Sequence, residues 1–503
     1  MNRFQITGNK SQITGNRSLI TSHTSQVTGL SSQVTDNKNT TNVMNYYFIG
    51  IGGIGMSALA RFFKQRGDSV CGYDHTPSPL TRHLEEEGIG VHYDDNPQQI
   101  PENIDLCIYT PAVPKDTAVY QTIVKRGVTI LKRSQMLGEL TRGKRCIAVA
   151  GTHGKTTTTA LIAHIFHSAG IAYQAFLGGI SKNLGSNMHC EPSGEYVIVE
   201  ADEYDRSFLQ LHPHFAVITA TDPDHLDIYG THDNMLDAFE QFAHQVDSDG
   251  RTFINASVSM FKRKAENKNY NQFSSATVEL YSGSDMAAAH HVENLRTDQQ
   301  GAIHFDYKSP HGDIDGIQLN HSALYNVENA TAAIAVAQAS GISAEKIRHG
   351  IATFAGVQRR FDYRVHNDKI TYIDDYAHHP KEIAAAISSV RQLFAGRRVA
   401  AIFQPHLYSR TADFYKEFAQ ALSMVDKVIL LDIYPARELP MPGVTSKMIL
   451  DNITVTDKRL CSKQEAVELA ANIDADVLLT LGAGDIDRLV PQIEEKLKVH
   501  NSK

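Results

Sequence analysis

Short apolar runs alternate with amphipathic stretches along most of this chain. Tyr46-Tyr47-Phe48-Ile49 is the first run, and it ends in glycines. Residues 56–66 then read as a helix, Ser69-Val70-Cys71-Gly72-Tyr73 as a second strand and residues 104–109 as a third. Such alternation predicts a parallel sheet covered by helices. A basic hinge, Thr141-Arg142-Gly143-Lys144-Arg145, precedes the next apolar run, Cys146-Ile147-Ala148-Val149-Ala150. Tyr196-Val197-Ile198-Val199 and Phe215-Ala216-Val217-Ile218 continue as buried strands. Residues 262–315 are polar and show no clear period, and residues 326–339 form an alanine-rich helix. Residues 356–364 read as a connector. Beyond them Val399-Ala400-Ala401-Ile402-Phe403, Lys427-Val428-Ile429-Leu430-Leu431 and Asp476-Val477-Leu478-Leu479-Thr480 are strands between helices. The pattern therefore predicts three successive α/β domains, at residues 44–145, 146–354 and 355–503.

The first 43 residues break this pattern. Gln5-Ile6-Thr7-Gly8-Asn9 recurs at Gln12-Ile13-Thr14-Gly15-Asn16, and Ile6, Ile13, Ile20, Val27 and Val34 recur every seventh residue. A coiled coil needs two apolar positions per heptad, and this repeat has one among Thr, Gly and Asn. The segment 1–43 reads as a disordered, low-complexity tail. Met44 lies directly before the first strand and is the expected native start.

Composition narrows the class. The chain has 503 residues, too many for one core, with 42% hydrophobic and 21% charged residues. Its net charge of -8 speaks against general binding to nucleic acid. No apolar run approaches the roughly 20 residues of a membrane span, and the N-terminus lacks the apolar core of a signal peptide. Five scattered cysteines without a CxxC pair fit a reducing cytoplasm.

Gly151-Thr152-His153-Gly154-Lys155-Thr156, followed by Thr157, stands between a strand and a helix. Phosphate oxygens need converging N–H donors, and a glycine turn at a helix N-terminus supplies them. Lys155 would bridge the terminal phosphates of ATP, and the Thr156 hydroxyl would bind Mg²⁺. Val149 stands where the usual motif has its first glycine. Glu200-Ala201-Asp202-Glu203 and Asp222-Pro223-Asp224-His225 follow buried strands, where open α/β sheets bind ligands. Glu200 is the first candidate for the metal and His225 the second. Gly50, Gly52 and Gly55 make a G-x-G-x-x-G, with Asp74 about twenty residues on, as in dinucleotide sites. This leaves a nicotinamide-dependent oxidoreductase open beside a UDP-sugar enzyme. Arg359-Arg360-Phe361, Asp374-Asp375-Tyr376-Ala377-His378-His379-Pro380 and Gln404-Pro405-His406 are each weak signals, grouped in one domain.

Taken in order, these motifs and Gly52-Gly53-Ile54-Gly55-Met56-Ser57 resemble the bacterial Mur ligases, from about Tyr46 to near the end. The resemblance implies an N-terminal Rossmann-like domain, a central P-loop ATPase-like domain and a C-terminal Rossmann-like domain. It implies an ATP- and Mg²⁺-dependent amide-forming ligase of the cytoplasm, acting in peptidoglycan precursor synthesis, as a monomer or homodimer. The alanine-adding branch fits best, with UDP-N-acetylmuramate, L-alanine and ATP as substrates. Other branches use a carbamylated lysine, and no lysine occurs between Lys182 and Lys262.

By resemblance, Gly151, Thr152, His153, Gly154, Lys155, Thr156 and Thr157 hold the ATP phosphates, with Asn326, Asn329, Arg360 and Asp374 around the rest of the nucleotide. Thr156, Glu200 and His225 hold Mg²⁺. Gly52, Gly53, Ile54, Gly55, Ser57, Asp74 and Thr110 face the uridine diphosphate, and Gly179 and Asn187 the muramoyl group. Tyr376, His378 and Arg410 face the amino acid, with Arg437 as a further helper. Lys155, Glu200, His225, His378 and Arg410 are the expected catalytic set. Two positions depart from the family pattern, Tyr325 for His and Leu407 for Arg. The nearest alternative is a recycling ligase that attaches a whole tripeptide, and a more distant one is a non-catalytic nucleotide-binding regulator.

Overall fold

The structure, a computed structural model, describes residues 43–223, 225–258, 276–298, 301–320, 322–436 and 438–500. The expected tail, except Val43, lies outside them, as do Asp224 and Arg437. The chain divides into two compact units, one of residues up to Lys144 with Gln210–His212, the other of Arg145–Leu209 with Pro213–Lys503.

The first unit is built on five parallel strands in the spatial order Gly90–His92, Ser69–Tyr73, Asn45–Ile49, Leu106–Tyr109 and Ile130–Lys132. Asn45–Ile49 lies at the centre, buried from Tyr46 to Ile49. A strand covered on both faces has no polar alternation, which is why its sequence is a continuous apolar run. The first helix is Ile54–Gln65 and buries Met56, Leu59, Phe62 and Phe63. It begins two residues earlier than the pattern predicts, directly at the glycine turn.

The second unit holds two sheets. The larger has ten strands. At its centre, Thr277–Ser282, Arg251–Asn255, Pro213–Ile218, Arg145–Ala150, Tyr196–Glu200 and Tyr173–Ser181 run parallel. Ser186–Cys190 closes one edge as a hairpin with Tyr173–Ser181. The other edge is a meander of His290–Thr297, Ile303–Lys308 and Ile314–Leu319. The first two of these strands lie in the stretch 262–315 whose polar sequence showed no period, and the third begins at its end. The helices Lys155–Ala169, Asn326–Ala339 and Ala344–Thr353 share one apolar core with this sheet.

The smaller sheet has six strands, in the order Asp362–His366, Thr371–Asp375, Val477–Leu481, Val399–Phe403, Lys427–Leu430 and Asp457–Leu460. Only Asp362–His366 is antiparallel to its neighbour. The expected connector at 356–364 is thus partly strand, and its Val357 bridges to Ser181 of the larger sheet.

Candidate active site

The phosphate loop is set by two glycines that no other residue can replace without strain. Gly151 has φ +138 and Gly154 φ +81. A Cβ on Gly151 would collide with Thr219, and one on Gly154 would lie 2.5 Å from Asn329 Oδ1. Gly154 caps the helix Lys155–Ala169, so the helix N-terminus opens into the loop. The Thr219 hydroxyl donates to the His153 carbonyl, and the Thr152 N–H donates to the Ala220 carbonyl at 3.0 Å. Val149, at the departure from the usual motif, is a fully buried strand residue.

Lys155 Nζ folds back over this loop, 2.5 Å from the Gly151 carbonyl and 2.8 Å from Glu203 Oε1. Burial works against its charge, but Glu203, Glu200 and Asp202 outweigh burial and hold its pKa above the ordinary value. Glu203 is 1% exposed. A buried carboxylate of this kind holds the cation in place over the loop.

Glu200 ends its strand with the carboxylate over Gly178, where a Cβ would collide with both of its oxygens. Gly179 next to it packs on Thr156 Cγ2 and Val357. Glu200 Oε2 is buried and has no hydrogen-bond partner among the described residues. A hard cation satisfies such an oxygen, so Thr156, Glu200 and His225 suit Mg²⁺. His225 takes φ +51 and brings Nε2 to 4.0 Å from Glu203 Oε1. A second donor cluster, Glu279, His290 and His311, lies elsewhere. Arg251 hydrogen-bonds to both Glu279 and His311, so a fixed guanidinium already supplies the cation there.

The smaller sheet supplies the opposite wall. Arg360 lies 4.9 Å from the Tyr376 ring centre. Burial disfavours its charge, yet Glu382 and Asp375 more than compensate and raise its pKa. Asp375 accepts the backbone N–H groups of Phe361 and Ala377, each at 2.7 Å. Tyr325, the residue in place of His, donates to Asp375 at 3.3 Å. Burial and the Arg410 charge overcome the pull of Glu382 and push His378 down to about 4, and burial does the same to His406. Both imidazoles are therefore neutral at physiological pH. Leu407 takes φ +72 and turns the chain into the helix Tyr408–Leu422.

These groups converge on one cleft of about 830 Å³. It is lined by residues 152–157 of the phosphate loop, by Glu200, His225 and Asn329, and by Arg360, Tyr376, His378 and Arg410. Five expected residues of this unit do not line it: Gly151, Gly179, Asp374, Asn326 and Asn187. Asp374 lies on the other face of its strand, bonded to Thr480 at 2.6 Å and Arg359 at 3.3 Å, and Asp375 lines the cleft instead. Asn326 is buried at the start of its helix, where it holds Ser322 at 2.8 Å and Asn329 at 2.7 Å. Asn187 is fully buried in its strand. Glu203, Asp375 and Glu382 line the cleft and were not among the expected residues. One signal was available for Glu382, the acidic residue three positions after His379 at a helix start.

In the first unit the glycine turn is also formed. Gly50 takes φ +85 and packs on Thr110, and Gly53 caps the helix that begins at Ile54. Asp74 Oδ2 accepts the Gly52 N–H of the turn at 2.8 Å, and its Oδ1 accepts the Thr76 N–H of its own loop at 3.1 Å. The Ser57 hydroxyl donates to the Ile54 carbonyl at 3.0 Å, and Gly55 packs against Arg133.

Known proteins share this architecture and sequence. Residues 45–145 match the Mur ligase family, catalytic domain, residues 149–337 the Mur ligase middle domain, and residues 359–484 the Mur ligase, glutamate ligase domain. The chain is 47% identical over 461 residues to the UDP-N-acetylmuramate–L-alanine ligase of Phocaeicola vulgatus, covering 90% of this chain and 98% of that relative. It is also 47% identical over 458 residues to the enzyme of the same name from Porphyromonas gingivalis, again covering 90% and 98%. Among solved structures, the UDP-N-acetylmuramate–alanine ligase of Thermotoga maritima superposes with a TM-score of 0.75 at 27% identity, covering 92% of this chain and all of that one. With three α/β sheets, a lysine-bearing phosphate loop and these relatives along nearly its whole length, the chain belongs to the Mur ligase family and is a ligase.

Proposed function

We propose that the chain joins L-alanine to the lactyl carboxylate of UDP-N-acetylmuramate, with ATP cleaved to ADP and phosphate, in peptidoglycan precursor synthesis. The observation that carries this reading is the 47% identity to ligases of that name across 98% of their length. The cleft supports it, because it faces a phosphate loop with two arginines and neutral histidines.

The lactyl carboxylate would attack the γ-phosphorus and displace ADP, giving an acyl phosphate. The alanine amine would then attack the carbonyl, and phosphate would leave with one former carboxylate oxygen. Residues 151–157 cradle the phosphates, and Lys155 neutralises charge that grows on the transferring group. Thr156, Glu200 and His225 would hold Mg²⁺, which supplies further positive charge at the same oxygens. Asn329, from its place against Gly154, and Arg360 border the nucleotide. Arg410 holds the alanine carboxylate through a forked guanidinium pair. Neutral His378, beside Tyr376, accepts a hydrogen bond from the amine without repelling its positive form. Gly52, Gly53, Ile54, Gly55, Ser57, Asp74 and Thr110 form the turn assigned to the uridine diphosphate, and Gly179 and Asn187 belong to the strands assigned to the muramoyl group.

Phosphate release tests the reading when each substrate is left out in turn. Release that requires ATP, UDP-N-acetylmuramate and L-alanine together is the expected result. Release with a tripeptide but not with L-alanine would contradict it and favour the recycling ligase.

A further inference from the structure

Glu382 is the residue at which the two walls of the cleft meet. It stands at the third position of the helix Pro380–Leu393, behind the cap residue His379. Its Oε2 accepts the backbone N–H groups of His378 at 3.1 Å and His379 at 3.2 Å. These bonds form the reciprocal cap of the helix. A capping carboxylate normally faces water. This one has a side chain only 19% exposed, and its Oε1 lies 3.1 Å from Nδ1 of His153, the central residue of the phosphate loop. His378 Nδ1 lies 3.4 Å from its other oxygen.

The neighbouring residues repeat this crossing. Lys381, one position earlier, pairs with Asp222 on the loop after the strand Pro213–Ile218. Asp222 in turn faces His153 Nε2 at 3.6 Å. The His153 ring is thus held between two carboxylates, one from each wall. Burial opposes the charge on Glu382, yet the His153 bond and the positive groups around it keep the carboxyl well below its ordinary range. None of the motifs quoted from the sequence contains this residue.

We propose that Glu382 is a positioning residue that locks the phosphate loop, through His153, to the His378 side of the cleft, so that nucleotide and amino acid are held in register. Although it lines the cleft, its two oxygens face the imidazoles of His153 and His378, and it acts through them. The inference rests on the ligase reading for its turnover readout.

A double-variant cycle on the full chain decides it. Glu382→Gln keeps an acceptor for the helix cap, so the protein should stay folded, with a melting temperature lowered only by the loss of the charge. Turnover should fall on the order of tenfold, less than the roughly hundredfold that a 1 Å misplacement of reacting groups can cost. His153→Ala should lose a similar factor. The two together should lose no more than either alone, because residues that act through one contact are not additive. Losses that multiply, or a Glu382→Gln enzyme at the parent rate, would overturn the proposal. A parent protein that releases no phosphate with its three substrates would instead defeat the ligase reading. The same cycle read as affinity for ADP then decides Glu382 alone, a shared loss supporting the lock and independent losses overturning it.

Discussion

Lys155 and Glu203 are a buried pair with unequal tasks. In the proposed reaction the lysine would face phosphate, while the glutamate holds it beforehand, with their charged atoms 2.8 Å apart. Removing one member of a buried pair strands the other and costs about 3 kcal/mol or more. Lys155→Met should therefore lower the melting temperature, and adding Glu203→Gln should restore much of it. Turnover should fall at least about a hundredfold in both variants, the usual loss when one preorganised contact to a reacting group is removed. Recovery of turnover along with stability would show that Lys155 is structural. The buried histidines give a second prediction. His164, His378 and His406 all have pKa values pushed from 6.5 down to about 4, by burial first and, for each, by nearby positive charge second or third. Their unfolded forms bind protons that the folded forms refuse between these values. Stability is then full above pH 6.5 and is lost as pH falls towards 4. The melting temperature should drop over that window, and a variant with Asn at His164 should drop less. A flat profile would mean the imidazoles protonate without loss of the fold.

At the scale of elements, the strand ends carry the chemistry. Glu200 and Asp375 end parallel strands, and the loops at 151–154 and 219–223 follow the C-terminal ends of others, as open α/β sheets require. Gly178 is the support on which the Glu200 carboxylate rests. Gly178→Ala should displace that carboxylate, raise the Mg²⁺ concentration needed for activity and cut turnover, with little change in nucleotide affinity. Unchanged Mg²⁺ dependence would remove Glu200 from the metal site. This level of the structure was largely legible in the sequence, since apolar runs mark strands buried on both faces. The same feature hid the choice between Asp374 and Asp375. Thr371–Asp375 is buried on both faces, so no polar alternation says which carboxylate looks into the cleft. Pairing with Asp362–His366 and Val477–Leu481 decides it. The meander from His290 to Leu319 was hidden for the opposite reason. It is an edge, where polar side chains face outward and several strands are partly exposed. Glu203 was overlooked inside a motif already quoted, because no pattern in sequence separates a buried carboxylate from a solvated one beside it.

For the whole molecule, the second unit carries two sheets whose strand ends line one cleft. Transfer of a phosphoryl group to a carboxylate and then of the acyl group to an amine needs charge neutralisation at one wall and amino-acid capture at the other. The cleft of the second unit places Lys155 on one wall and Arg360 and Arg410 on the other, as the proposed reaction requires. The central claim is that these walls serve one reaction through an acyl phosphate. The direct test is isotope transfer. UDP-N-acetylmuramate labelled with ¹⁸O in its lactyl carboxylate is incubated with ATP, L-alanine and the protein, and the released phosphate is weighed by mass spectrometry. The account predicts one ¹⁸O atom in each phosphate from a fully labelled carboxylate. Phosphate released without the label would contradict it, because the γ-phosphoryl group would then have gone to water.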